Sequence, residues 1–438
     1  MERKSENWAV VGGGMLGMTL AHRLAQAGKQ VTVYEAAPEF GGLASAWQIG
    51  NVIWDKHYHV TLLSDSYLRD LLAELDLDSE MRWVETRTGF YTDEQLYSMS
   101  NSVEFLKFPP LSLIDKFRLG ATIFYASRVS DWKKLEKIPV ADWLRKPSGT
   151  RTFEKIWLPL LRAKLGENYQ KTSAAFIWAT IARMYAARRT GLKKEMFGYL
   201  PGGYARIINH FAAFLAAEGV NLRTSSGIKS LRSDASGVEL TLNDESKVAH
   251  DRVVLTVPCP VVSAICPQLT EAEKQRLNAV EYQGIICASV LLRRNLASYY
   301  VTNITADWVP FTAVIEMTAL VDPMEIGGLH LVYLPKYVTA SEFETNTDDA
   351  KLEEQFVSAL MRMYPGLSRD DVVAFKVSRV RNVFPIPAID YSEMVPAMAT
   401  TVPGVSLVNS THIVNGTLNV NEGVRLANQS AELLLSEE

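Results

Sequence analysis

Cysteine is scarce in this chain: 438 residues contain three, Cys259, Cys266 and Cys287. They show neither a C-x-x-C spacing nor a neighbouring histidine cluster, which excludes a disulfide framework and a zinc site, and no metal is expected. Long apolar runs are missing too; none reaches the ~18 residues that a membrane-spanning helix needs. Charge of one sign is not in excess, since 45 Lys+Arg stand against 49 Asp+Glu for a net −4. Nucleic acid, which demands a basic face, is set aside as a partner. The amino terminus has no secretory apolar stretch, so a cytoplasmic location is expected, with any membrane contact made from the surface. No internal repeat or low-complexity linker is visible. The length suits two or three domains of about 100–200 residues and a large core.

What the chain does have is concentrated in its first fifty residues. Asn7–Val11 (NWAVV) reads as a buried strand, followed at once by Gly12, Gly14 and Gly17 in a G-x-G-x-x-G spacing and then by a helical pattern. The first glycine permits the tight turn, the second lets a pyrophosphate approach the backbone, and the third lets the helix pack on the sheet. Phosphate would sit at the helix start, on the backbone of Met15 and Leu16, where unpaired N–H groups favour negative charge. Gln30–Tyr34 (QVTVY) reads as the next strand and ends at Glu35, placed to accept both hydroxyls of a ribose. Its charge also repels a 2′-phosphate, which argues against NADP. The alternative is a chance glycine turn followed by a surface acid, which the register of strand, helix, strand and acid opposes.

The continuation separates FAD from NAD. Glu35-Ala36 is followed by the pair Gly41-Gly42 and then by Leu43 and Ala44. This arrangement resembles the extended signature of the FAD superfamily that includes protoporphyrinogen oxidase, phytoene desaturase, amine oxidase and UDP-galactopyranose mutase. The resemblance implies an α/β fold. Its parts are a Rossmann-like FAD-binding domain of GR2 type, built from three chain segments (1–65, 199–280 and 386–438), and an inserted α+β substrate domain (66–198 and 281–385). It also implies FAD, held non-covalently, because no histidine or cysteine in the glycine-rich segments suggests a covalent link. Ile228 matches the position whose backbone lies against adenine. At the carboxy terminus, Gly416, Thr417, Leu418 and Asn419 match the helix start that faces the flavin N1–C2=O edge, where a positive dipole end favours reduction. The usual acid of that region is replaced by Asn409 and Ser410, which stand in for the ribityl or pyrophosphate contacts.

Chemistry is sought in Trp54-Asp55-Lys56-His57-Tyr58-His59, the stretch that lies beside the flavin ring in the resembled family. His59 and His57 are the candidate catalytic groups, because imidazole can move a proton or support a flavin anion near neutral pH. Tyr58 joins them as a substrate contact. In the inserted segments Arg162, Lys164 and Arg183 are candidates for clamping a substrate phosphate, although a cationic helix face is more often simply solvated. Glu316, Tyr333 and Lys336 sit near apolar strands expected to floor the substrate pocket. Family amine oxidases carry a lysine in the strand matching residues 284–292, and this strand has none, which argues against an amine substrate. Residues 108–129 are aromatic, basic and amphipathic; an interfacial helix and ordinary packing inside a soluble domain both fit, with packing favoured.

The leading expectation is therefore an FAD-dependent oxidoreductase that moves hydride equivalents between flavin N5 and a bulky small-molecule or lipid-like substrate, isoprenoid-like or glycan-related. The electron acceptor is left open, and a peripheral membrane contact is one reading. A redox-neutral mutase acting on a nucleotide sugar, like UDP-galactopyranose mutase, is the alternative. A flavin-binding scaffold without catalysis is a third.

Overall fold

The structure is a computed structural model that describes residues 6–188, 196–344 and 348–436. Its centre is a five-stranded parallel sheet in the order Asn221–Arg223, Gln30–Tyr34, Asn7–Val11, Arg252–Leu255, Val405–Leu407. Its inner strands Asn7–Val11 and Arg252–Leu255 are buried over all but their first residue, as expected where both faces are covered. Alternation decides which cover each residue meets. Trp8 and Val10 point into a core shared with the helices Met15–Gln26, Gly203–Ala217 and Val420–Ser436. Ala9 and Val11 point the other way, onto the antiparallel strands Ile228–Asp234, Gly237–Leu242 and Lys247–His250. Asn221–Arg223 and Ile228–Asp234, only a few residues apart, belong to different sheets.

A second, seven-stranded sheet runs Val372–Pro385, Tyr282–Leu292, His330–Val338, Ala313–Glu316, Val301–Ile304, Thr88–Thr92, Gln95–Ser98. Its strand Tyr282–Leu292 is buried along its whole length. The last two strands come from the first insertion, residues 66–198. They form a hairpin whose turn residues, Asp93 and Glu94, take φ of +49° and +58°. Asp-Glu is a poor signal for such a turn compared with Asn-Gly, so the hairpin is hidden in the sequence. Thr88–Thr92 then pairs in parallel with Val301–Ile304, which binds the two insertions into one sheet. Helices from Ser102–Lys107 through Ala174–Arg188 cover it around Phe108, Trp143, Phe153 and Phe176. No helix among the described residues is long and apolar enough to cross a membrane.

Candidate functional site

The two glycine segments and the acid of the first fifty residues form one constellation at the carboxyl ends of the parallel strands. Gly12 has φ +115°, and a Cβ there would lie 2.4 Å from Thr256 Oγ1; a Cβ on Gly17 would lie 2.0 Å from the Gly12 carbonyl oxygen. Both positions exclude any other residue without movement. Gly41 N donates to Gly13 O at 2.8 Å, and Gly14 bridges Gly41 as in a parallel ladder. Glu35 secures the same loop: Oε2 accepts from Gly13 N at 2.7 Å and Oε1 from Ala37 N at 2.8 Å. Those bonds use only part of the carboxylate's acceptor capacity, so ribose hydroxyls can still be taken.

Gly14 differs from its neighbours. Its φ is an ordinary −74°, and a Cβ on it would meet nothing nearer than 3.9 Å, the Gly42 Cα. The space beside Gly14 is therefore a narrow cleft between two backbones, with room for a methyl group in ordinary van der Waals contact. At that cleft the helix Met15–Gln26 begins without a side-chain cap and without an acid in its first turn. Met15 and Leu16 lie in that turn, where N–H groups have no partner inside the helix. An anion fits such a place. Leu43 and Ala44 form the 3₁₀ turn that follows, Gly42–Ala44. The chain reaching Ile228 passes alongside, since Ser226 N donates to Glu35 O at 2.8 Å and a Cβ on Gly227 would touch that of Ala36 at 3.3 Å.

The carboxy-terminal helix Val420–Ser436 lies against the first one, with a Cβ on Gly423 4.0 Å from Leu16 Cβ. Asn419 caps it, accepting from Glu422 N at 3.0 Å and donating to Thr417 O at 2.7 Å. Leu418 contacts both the core under the parallel sheet and the core of the helical cover. Asn409 is committed to structure: Nδ2 donates to Val257 O, and Oδ1 accepts from Thr411 N and Thr411 Oγ1. Its side chain holds a 3₁₀ turn beginning at Ser410.

The hairpin Ala46–Ile49 and Val52–Asp55 delivers the histidine segment. Asp55 is buried; its Oδ1 accepts from Tyr204 N at 2.9 Å, and its carbonyl accepts from Tyr333 Oη at 2.6 Å. Burial raises the Asp55 carboxyl to about 8 despite the backbone donors at Tyr204 and Ala205. Tyr333 is thus a fully buried prop under Asp55, not an exposed pocket floor. His57 Nδ1 donates to the Leu43 carbonyl at 3.0 Å, which fixes its tautomer and makes Nε2 an acceptor. That Nε2 is buried and meets no partner. An orphaned acceptor next to the Gly-Gly turn is a place for a donor on a bound group. His59 Nδ1 donates to the His57 carbonyl at 3.1 Å, and its ring packs on Tyr204 with centroids 4.9 Å apart. Burial lowers both imidazoles, His59 to about 3 with a further push from His57. Both are neutral at pH 7, so neither supplies the positive charge that stabilises a flavin anion.

Tyr58 Oη meets Tyr337 Oη at 3.1 Å. Tyr337, Phe176 and Phe384 in turn surround Lys164, whose Nζ lies 5.6, 5.6 and 5.8 Å from their ring centroids. Tyr58 and Lys164 are thereby joined through one aromatic cluster, which Leu418 also contacts. Tyr204, Tyr337, Phe176 and Phe384 are not among the residues that the sequence marks as functional. Tyr204 follows a Gly-Gly pair and could have been, whereas nothing local marks the other three.

Three expected substrate contacts already have partners within the protein. Arg162 is exposed and paired with Glu167 at 3.0 Å. Arg183 is paired at 2.8 Å with Asp65, which also accepts from Leu62 N. Glu316 is buried, and its carboxylate accepts from the backbone N–H groups of Leu296, Ala297 and Ser298. Its carboxylate is thus committed to closing the turn at residues 296–298. Lys336 sits half-buried on His330–Val338. A cavity of about 540 Å³ bordered by Glu94, Arg294, Arg362 and Leu367 contains none of the residues expected from the sequence.

The family described as flavin containing amine oxidoreductase matches residues 16–434. Among curated proteins, 15-cis-phytoene desaturase of Solanum lycopersicum is 22% identical over 282 residues, 59% of this chain and 47% of that one. Coproporphyrinogen III oxidase of Mycobacterium tuberculosis (strain ATCC 25618 / H37Rv) is 24% identical over 300 residues, 62% of this chain and 64% of that one. The matched region therefore spans about half the length of the desaturase. Among solved structures, reduced UDP-galactopyranose mutase superposes with a TM-score of 0.76 at 13% identity, covering 100% of this chain and 95% of that one. That likeness is one of fold.

Proposed function

The chain belongs to the flavin-containing amine oxidoreductase family, and from that premise we propose that it is an FAD-dependent oxidoreductase acting on a bulky small molecule, isoprenoid-like or glycan-related. The observation that carries the reading is the close, unstrained approach of the Gly14 backbone to Gly41 and Gly42, beside a glycine loop held by Glu35 and a helix start with no side-chain cap. A dinucleotide needs those parts together: a carboxylate for ribose, close backbone for pyrophosphate, and N–H groups at a helix terminus. FAD, when bound, supplies hydride transfer at N5.

The chain's own residues would do the rest. Glu35 holds the glycine loop and retains acceptor capacity for the ribose. The Val420–Ser436 helix presents its amino-terminal end, and Asn419 keeps that end ordered. His57 offers a buried acceptor, and His59, neutral and packed on Tyr204, shapes the wall. Tyr58, Tyr337, Phe176 and Phe384 make an apolar, aromatic lining suited to a hydrocarbon-rich substrate, with Lys164 as its cation. The relatives named as phytoene desaturase and coproporphyrinogen III oxidase accord with a large substrate.

The mutase reading has less support, because a nucleotide diphosphate calls for free cations and Arg162 and Arg183 each already hold a carboxylate. The scaffold reading is opposed by the intact glycine and Glu35 set. The test is the visible spectrum of the purified protein before and after anaerobic dithionite and then air, with the released cofactor identified. Oxidised-flavin bands that bleach and return, with FAD freed by heat, are expected. A colourless protein that takes up no added FAD would overturn the proposal.

A further inference from the structure

The helix Leu113–Ala126 is folded the wrong way round for a helix of a soluble domain. Its inward face holds Asp115, Lys116, Leu119, Thr122 and Ala126, of which three are polar. Its outward face holds Leu113 at 73% exposure, Ile114 at 68%, Phe117 at 78%, Phe124 at 53% and Tyr125 at 54%. These positions follow the i, i+1, i+4 spacing of a single helical face. The preceding helix, Ser102–Lys107, adds Val103 at 61% and Leu106 at 57%. Packing, which the sequence favoured for this segment, accounts for Phe108, Leu111, Leu119 and Ala126 but not for these exposed apolar residues. A contiguous exposed face of this kind marks an interaction surface.

The charges around the face identify what it meets. On the helix itself the exposed charged residue is Arg118, with Arg128 just beyond it lying over the Phe124 ring at 4.7 Å. The one acid of the helix, Asp115, is turned inward and held in a capping box with Ser112. Across residues 107–151 the exposed cations include Lys107, Lys137, Arg145 and Arg151, whereas the exposed acids are Asp131 and Asp142. This local cationic surface belongs to a chain whose net charge is −4. Exposed apolar side chains next to Arg118 and Arg128, in a segment whose exposed charges are mostly cationic, match the interface of an anionic bilayer, where the apolar groups enter the acyl boundary and arginines meet lipid phosphates. The inward side of the same helix packs, through Leu119 and Ala126, into the cluster that contains Phe176, Phe384 and Tyr337.

We propose that the Leu113–Ala126 face, with Val103 and Leu106, docks this protein on anionic lipid surfaces without spanning them. The inference does not depend on the identity of the substrate or on the redox reading. The test is sedimentation of the full-length, flavin-loaded protein with vesicles of phosphatidylcholine alone and of phosphatidylcholine and phosphatidylglycerol in equal parts. The wild type should pellet with the anionic vesicles and less so at high salt. Ile114→Glu/Phe117→Glu should lower the partition at least about tenfold, while Met324→Glu, which alters an equally exposed apolar residue outside the face, should bind as the wild type does. Both variants change exposed side chains, so unchanged flavin absorbance and melting temperature certify their fold. Failure of the wild type to pellet with anionic vesicles would overturn the proposal, as would equal pelleting of the double variant. A wild-type dimer that the double variant converts to monomer, with no vesicle binding by either, would overturn it too and assign the face to a second copy of the chain.

Discussion

Asp55 and Tyr204 are 149 positions apart in sequence, yet Asp55 Oδ1 accepts the Tyr204 backbone N–H at 2.9 Å. The bond caps the helix Gly203–Ala217 from outside, where its own N-cap residue, Gly202, has no side chain to offer. A Cβ on Gly203 would approach the same oxygen to 2.9 Å, so the second Gly-Gly pair is what admits the carboxyl. Since His57 and His59 follow directly, this one contact fixes the histidine segment to the helix and to Tyr204, on which His59 packs.

The contact predicts a stability that depends on pH. Burial raises Asp55 from 3.8 to about 8, so the folded state holds a proton that the unfolded chain has released. Stability from this site is complete below about pH 4 and is lost as pH rises through about 8. Asp55→Asn keeps an acceptor for Tyr204 N–H and does not titrate. Its melting temperature should fall less than that of the wild type between pH 5 and pH 9; parallel curves would refute the assignment. Asp55→Ala should cost about 1–3 kcal/mol at any pH by orphaning the donors.

His59 carries the opposite sign. Burial and His57 lower it from 6.5 to about 3, so the unfolded chain binds a proton that the folded one refuses. The stability is present above about pH 6.5 and is lost as pH falls toward 3. His59→Phe, which retains an aromatic ring against Tyr204, should flatten the acid side of the melting curve. An imidazole signal titrating between pH 6 and pH 7 in proton NMR, assigned to His59, would sink this reading.

How much of the molecule is legible in its sequence depends on distance along the chain. The glycine loop and Glu35 are local patterns that strand-to-helix spacing places together, and the resemblance to the FAD superfamily adds the Gly41-Gly42 pair. Lys164 is visible as a cation, but its surroundings come from Phe176, Tyr337 and Phe384 on three separate elements, with no shared periodicity to unite them. Glu316 reads as an acid among apolar strands; the three N–H groups it serves lie in an irregular turn without a motif. In the Leu113–Ala126 helix, periodicity announces two faces and cannot say which turns inward, because the inward face is the one with Asp115 and Lys116.

Glu35 is predicted to matter twice. It accepts from Gly13 N and Ala37 N in the protein alone, so Glu35→Ala should destabilise the flavin-free form by about 1–3 kcal/mol. It should also reduce flavin content more than that loss of folded protein explains, because the ribose partner disappears as well. Glu35→Gln, which keeps one side-chain oxygen, should fall between the two. Denaturant unfolding of the flavin-free protein beside FAD titration separates these effects, and an Ala variant that binds FAD as the wild type does would remove Glu35 from the site.

Gly14 separates fold from cofactor most sharply. With φ at −74° and no atom nearer than 3.9 Å to where a Cβ would stand, Gly14→Ala meets neither strain nor clash in the protein itself. Its melting temperature without flavin should stay close to the wild type, with a stability change below about 1 kcal/mol. The methyl would nevertheless fill the cleft where backbone and pyrophosphate must approach, so FAD affinity should drop at least about tenfold. Gly17→Ala provides the contrast, since its Cβ would sit 2.0 Å from the Gly12 oxygen and force the helix off the loop. That variant should lose stability and flavin together. If Gly14→Ala bound FAD normally while remaining folded, the pyrophosphate would have to lie elsewhere, and the cleft between Gly14 and Gly42 would need another occupant.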